Sequence, residues 1–218
     1  MATCATPLHV CRLRVTKLDA SGNVESGDNN SYVTEKVISL AATPEVLAGE
    51  TRRLIGGCEC SIASFRSPDR LERFTLELNV GALEPGLFSL LVGTDPMLDG
   101  ADAVGVEWGD QSACDFDPPD VAIEAWGDLI EGDSTSSTFP FFYMLFPRSS
   151  WSIGQTTLQN DFSPYVFNGV TQANALWGGG PYGDVDLPSD PGIRGGLYMV
   201  ASEPPDATCA FDTVTPSS

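Results

Sequence analysis

Between Arg73 and Arg148 the chain has no lysine or arginine at all, yet those 74 residues carry fourteen aspartates and glutamates. A cation-free stretch of that length argues against direct nucleic-acid binding, which needs Lys and Arg to displace phosphate counterions. It argues equally against docking on an anionic membrane surface. Histidine is nearly absent as well. His9 stands alone, so no Ser-His or Cys-His constellation can be argued around it, and it reads as an ordinary strand-end residue. Long apolar runs are also missing. The longest, Phe139 to Pro147, is far too short to span a bilayer, and no apolar segment with a basic leader follows Met1. The expectation is a soluble protein made in the cytosol, with no membrane binding. The one glycine triplet, Gly178 to Gly180, neither follows a clear strand nor precedes a helix and has no lysine. It is therefore no phosphate cradle.

What the chain does have is acid. Its net charge is −19 over 218 residues, but residues 1–73 are neutral, with nine cations against nine acids. Most of the excess thus lies in the middle third. The bland reading is a solvated, soluble face; the sharper one is a surface that repels a polyanion or meets a basic partner. Acidic pairs abound wherever acids are this dense, so none of them singles out a general acid–base site. Asp115 to Asp120 lacks the glycine and distal glutamate of a helix–loop–helix calcium site and reads as a structural loop. Six cysteines are present. Cys4, Cys11, Cys58 and Cys60 are the residues that would make a four-thiolate zinc site, but neither pair has knuckle spacing. Free thiols filling strands are the expectation, with no cofactor and no catalytic residues.

Strands and turns dominate the pattern. Val10 to Leu18 alternates, with Cys11, Leu13 and Val15 opposite Arg12, Arg14 and Thr16. Asp19 to Asn23 and Ser26 to Asn30 read as turns, and Tyr32 to Leu40 as the next strand. Residues 41–57 have no clear period and read as a long loop, whose paired Arg52 and Arg53 are candidate subunit contacts. Strands follow at Cys58 to Phe65 and Phe74 to Val80. The one convincing helix spans about residues 84–92. Pro85 sits at its first position, Leu83, Leu87, Leu90 and Leu91 form its apolar stripe with Phe88 flanking, and Gly93 stops it. Strand resumes at Ala103 to Trp108, Ala122 to Ile130, Thr138 to Phe146 and Gly195 to Ala201. The run Phe139 to Phe146 does not alternate, which predicts a strand covered on both faces. Residues 161–196, rich in glycine and proline, predict short β-pieces at best, and Pro204 onward predicts a mobile tail. The whole reads as one mainly β domain over residues 1–218, a sandwich or barrel with one peripheral helix.

The order of these features resembles a family. It comprises Gly56-Gly-Cys-Glu-Cys60, Pro68-Asp-Arg70 before a strand, Glu84-Pro-Gly-Leu-Phe-Ser-Leu-Leu91, Val104-Gly-Val-Glu-Trp108, Asn168-Gly169 and Asn174-Ala-Leu-Trp-Gly-Gly-Gly-Pro-Tyr-Gly183. This is similar to the major tail proteins, the tube subunits of long-tailed non-contractile bacteriophages, especially those of actinobacterial hosts. The likeness covers roughly residues 9–200 and rests on order and texture rather than on one motif. It implies a virion structural protein, assembled in the host cytoplasm, that forms rings, usually hexameric, stacked into a tube. Self, a tape-measure protein and other tail proteins would be its partners, and genomic DNA would pass through without specific binding. The loop at 41–57, the N-terminal arm at 1–9 and the extension at 161–196 would bridge subunits. An acidic lumen would keep the duplex from sticking, with Glu77, Asp102 and Glu107 as candidate lining residues. The alternatives are a tail terminator, a head–tail joining or capsid decoration protein, an acidic calcium-binding β-sandwich, and a hydrolase using paired carboxylates.

Overall fold

The computed structural model describes residues 5–55, 61–100, 102–108, 118–157, 160, 163–182 and 193–214. In chain order the elements are β1 (Thr6–Lys17), β2 (Gly27–Thr34), β3 (Val37–Leu47), β4 (Thr51–Ile55), β5 (Ser61–Arg66), β6 (Arg70–Val80), α1 (Pro85–Val92), β7 (Pro96–Asp99) and β8 (Asp102–Val106). They continue with β9 (Asp120–Glu131), β10 (Ser134–Thr135), β11 (Phe141–Ile153), β12 (Tyr165–Thr171), β13 (Gly196–Val200) and β14 (Phe211–Val214). Ten strands make one antiparallel sheet in the order β14-β2-β1-β9-β11-β12-β6-β3, with β10 beside β9 and β13 beside β11. β4–β5 and β7–β8 are separate two-stranded ribbons. The protein is mainly β with one short helix, consistent with a β-sandwich.

The sheet folds back on itself, so that β3, at its far edge, returns to touch β1. Between the two halves lies the main core, which includes Leu13, Val15, Leu76, Leu78, Val80, Ile123, Trp151 and Phe167. Helix α1 is buried against it. Pro85 opens the helix, and Gly93 ends it in the left-handed conformation at φ 72°, its N–H bonding the carbonyl of Ser89. The helix forms because these caps bound a run of leucines with nowhere else to go. Phe88, expected to flank the stripe, is instead at its centre. It is fully buried and edge-on to both Phe167 and Tyr165. Leu83 lies before the helix and is exposed.

A second, smaller cluster covers the outer face of β1, β9 and β11: Leu18, Ala122, Trp126, Tyr143, Leu145, Trp177 and Val200. Cys11 packs with this cluster and not with Leu13, because the β1–β9 register shifts between Val10 and Arg12 and reverses the alternation there. Gly127 allows β1 its close approach at this point. A Cβ on it would lie 2.1 Å from the carbonyl oxygen of His9.

Several expectations are corrected. Glu35 and Lys36 break the strand foreseen from Tyr32 to Leu40, separating β2 from β3. The foreseen turn from Ser26 to Asn30 is largely the start of β2. Of the loop foreseen at 41–57, all but residues 48–50 of the described part is strand, and Gly56 and Gly57 lie outside the described residues. Ala41 to Leu47 pair with Arg70 to Glu77, and Thr51 to Ile55 pair with Ser61 to Arg66. Both faces of this segment are largely open to solvent, so nothing imposes the alternation that a half-buried strand shows. Pro44 is tolerated because β3 is an edge strand. Thr6 to His9 belong to β1, with Thr6 and Pro7 opposite Ile130 and Leu129. Within 161–196, β12 is no fragment but a central strand between β11 and β6. The tail is anchored as far as residue 214: β14 pairs with β2, Phe211 stacks edge-on against Tyr32, and Val214 is buried. β11 runs past Pro147 to Ile153. Only one face of its first half is fully covered, since Tyr143 and Leu145 are buried whereas Phe142 and Met144 are half-exposed.

Candidate functional site

The two predicted contact residues stand on the ribbon β4–β5, which continues the β3–β6 hairpin outward. Asp69 and Ser67 join the two parts. Asp69 Oδ1 accepts from the Gly49 N–H at 2.7 Å, and Ser67 Oγ accepts from the Glu50 N–H at 2.9 Å. Every described side chain of the ribbon is exposed. Arg52, Leu54, Ala63 and Phe65 share one face, because Arg52 is opposite Phe65 and Leu54 is opposite Ala63. Arg53 lies on the other. Arg52 donates to Glu50 from Nε at 3.2 Å and from Nη2 at 3.1 Å, while Arg66 reaches Asp69 at 3.0 Å. These fully solvated pairs contribute little to stability. Leu54 and Phe65 are 60% and 66% exposed. A two-stranded ribbon of this kind has no core of its own and needs a covering surface.

The three predicted lumen residues are not brought onto one sheet. Glu77 is exposed on β6 and accepts a bond from Asn79 Nδ2 at 3.1 Å. Asp102 begins β8, opposite Asp99, and Glu107 follows that strand, exposed. Of the four thiols weighed for zinc, Cys4, Cys58 and Cys60 lie outside the described residues. Cys11 is a half-buried free thiol whose pKa burial pushes up. Among the described residues no group of three or more His, Cys, Asp or Glu is placed to hold a metal ion. No described helix is long and apolar enough to cross a membrane.

Two polar clusters escaped the sequence reading. In the first, Arg14 and Glu124 form a buried two-pronged pair, Nε to Oε2 and Nη2 to Oε1, both 2.7 Å. The Tyr143 hydroxyl donates to Glu124 Oε1 at 2.7 Å. The guanidinium lies 3.8 Å from the Tyr182 ring centroid and 5.1 Å from that of Trp126. Alternation in β1 had placed Arg14 on the face opposite Leu13 and Val15; the cluster around Trp177 and Val200 covers that face. The only signal available was an arginine and a glutamate centred in strands that later pair.

In the second cluster, Glu84 is buried at the start of α1. Its Oε1 accepts from the Thr34 hydroxyl at 2.9 Å, and Cys209 of the C-terminal segment lies beside it. Oε2 has no hydrogen-bond partner. Burial raises its pKa, opposed by the bonds from Thr34 and Cys209 and by Lys36, with Glu35 adding to the rise. The proton is therefore held more tightly in the folded state than in the unfolded one. The resulting stabilisation is complete below the ordinary carboxylate pKa and is lost as pH rises through the raised value. Glu84→Gln keeps the acceptor for Thr34 and should raise the urea midpoint above wild type at about pH 8, with the advantage shrinking towards about pH 4. A variant equally destabilised at both pH values would show that the charge carries no penalty.

No family model matches this chain, and no curated protein sequence matches it.

Proposed function

We propose that this chain is a structural, self-assembling subunit of a phage tail tube, forming hexameric rings that stack into a conduit for genomic DNA. The observation that carries the reading is the projecting β4–β5 ribbon. Its described side chains are all exposed, and it bears Leu54 and Phe65 beside Arg52, Arg53 and Arg66. Such a ribbon is costly to leave bare and serves a chain that buries it against another subunit. The fold class of a β-sandwich with one short helix also supports the reading, as does the cation-free stretch from residue 74 to residue 147. A duplex in a basic channel would be held by salt-dependent contacts, whereas an acidic lumen keeps it free. Glu77, Asp102 and Glu107 are proposed to contribute to that lumen. A tape-measure protein would occupy it before DNA does, and the mature subunit would reside in the virion tail. The chain is proposed to act by assembly and not by catalysis.

Electron microscopy of the purified full chain tests this. Stacked rings or tubes are expected. Single rings would favour a terminator or joining protein, and dispersed monomers at all concentrations would sink the proposal. Arg52→Glu with Arg53→Glu should leave stability within ~0.5 kcal/mol, as for other exposed positions, yet suppress tube growth. Normal growth of the double variant would remove those arginines from the interface.

A further inference from the structure

The C-terminal segment closes over the start of α1. β14 pairs with β2, the Thr213 hydroxyl donates to Asp28 at 2.7 Å, and Val214 is buried. Phe211 lies edge-on to Tyr32, and both rings press on Gly86, where a Cβ would sit 3.2 Å from Phe211. Cys209 takes the left-handed conformation at φ 48° and sets its thiol against Glu84. Beneath this segment lies a carboxyl without a counter-charge. Glu84 stands just before the helix, yet its side chain caps no helical N–H. Pro85 has none to offer, and the Phe88 N–H is spent on the Glu84 carbonyl. Oε1 holds the Thr34 hydroxyl, while Oε2 has no hydrogen-bond partner. Among the described residues no cation pairs with it; the Lys36 ammonium, whose charge reaches it, bonds Glu35 at 2.7 Å.

We propose that ionisation of Glu84 opens the C-terminal segment: residues 208–214 stay closed over α1 while the carboxyl is protonated, and detach as it ionises so that water reaches it. Opening leaves the edge of β2 unpaired. The groups that face the carboxyl are Tyr32 and Thr34 of β2, Glu35 and Lys36 of the turn into β3, and Cys209. Burial pushes up the Tyr32 phenol and the Cys209 thiol, and the Glu84 charge adds to both rises, so near neutral pH each is an uncharged neighbour. Glu35 is held low by its bond from Lys36 and stays charged. An ionised Glu84 therefore adds a second negative charge beside a single cation. Burial makes the closed state hold the Glu84 proton more tightly than an open, hydrated one, against the pull of the Thr34 and Cys209 donors and of Lys36. Closure is thus fully favoured below the ordinary carboxylate range and weakens as pH rises through the raised value. The C-terminal segment is the element that yields. It is held by a four-residue edge strand and one aromatic contact, whereas Thr34 and α1 belong to the sheet and the main core.

Amide hydrogen exchange of the full chain, read by mass spectrometry and corrected for the intrinsic pH dependence of exchange, tests this segment by segment. Between about pH 5 and about pH 8, exchange in residues 208–214 should rise about threefold or more, while the central strands β9 and β11 stay protected. Glu84→Gln, which keeps the acceptor for Thr34 and cannot ionise, should make the segment's exchange flat over the same range. Cys209→Ala takes away one donor to the carboxylate and should enlarge the rise, which gives a second reading independent of the glutamine variant. A rise of equal size in wild type and Glu84→Gln would assign it to other acids and overturn the proposal. So would a wild-type segment indifferent to pH, or one whose exchange rises only together with that of β9 and β11, since opening would then be global.

Discussion

Arg14→Met is expected to cost the fold about 3–5 kcal/mol, measured as a fall in the urea midpoint at unchanged slope. The reason is what remains behind. Glu124 is buried, its two oxygens take both guanidinium bonds, and Tyr143 donates to one of them. Without the arginine, a carboxylate stays in an apolar layer between Trp126 and the 177–182 segment with a single donor. Removing the partner too reverses the sign of the argument, because the desolvation of both charges disappears with them. Arg14→Met with Glu124→Leu should recover most of the loss. A single variant costing under about 1 kcal/mol would mean that water enters the layer and screens the pair.

Phe88→Ala is the second large effect, expected at about 3–5 kcal/mol. Phe88 is fully buried at the centre of α1, its ring 4.7 Å from that of Phe167 and 5.4 Å from that of Tyr165, both edge-on. Truncation removes the transfer free energy, both ring contacts and the filling of a core bounded on all sides. The backbone offers little relaxation, since Gly86 of the same helix already abuts the Tyr32 ring and a Cβ there would sit 2.7 Å from it. Leu90→Ala, at a residue 4% exposed on the same helix, should fall in the wider range of about 2–5 kcal/mol. Phe88→Ala remaining within ~0.5 kcal/mol of wild type would place the helix outside the main core.

Much of this architecture was written locally. The helix was readable because Pro85, the leucines and Gly93 act within ten residues of one another, through backbone geometry and a single apolar stripe. The turn at Asp19 to Asn23 was readable for the same reason: Asp19 Oδ1 accepts the N–H groups of Ser21 and Asn23 at 2.8 and 2.9 Å. β6 and β9 were legible because one or both of their faces are buried and burial imprints apolar periodicity. The sequence alone also determined the acidity of the middle third.

What only the tertiary structure decided were features with no local imprint. The β3–β5 segment is a strand pair in solvent, and a solvated ribbon exerts no selection for alternation, so its residues resemble a loop. β14 holds its place through pairing with β2 some 180 residues earlier and through Phe211 on Tyr32, a contact invisible in a short polar tail. Arg14 and Glu124 became an interior pair only because a later segment, 177–182 with β13, lays a second layer over the face of β1 opposite Leu13 and Val15. Phe142 and Met144 are the converse case. They look like core in the sequence, and they are left half-exposed because Tyr143 and Leu145, on the other face of β11, are the ones the second cluster covers.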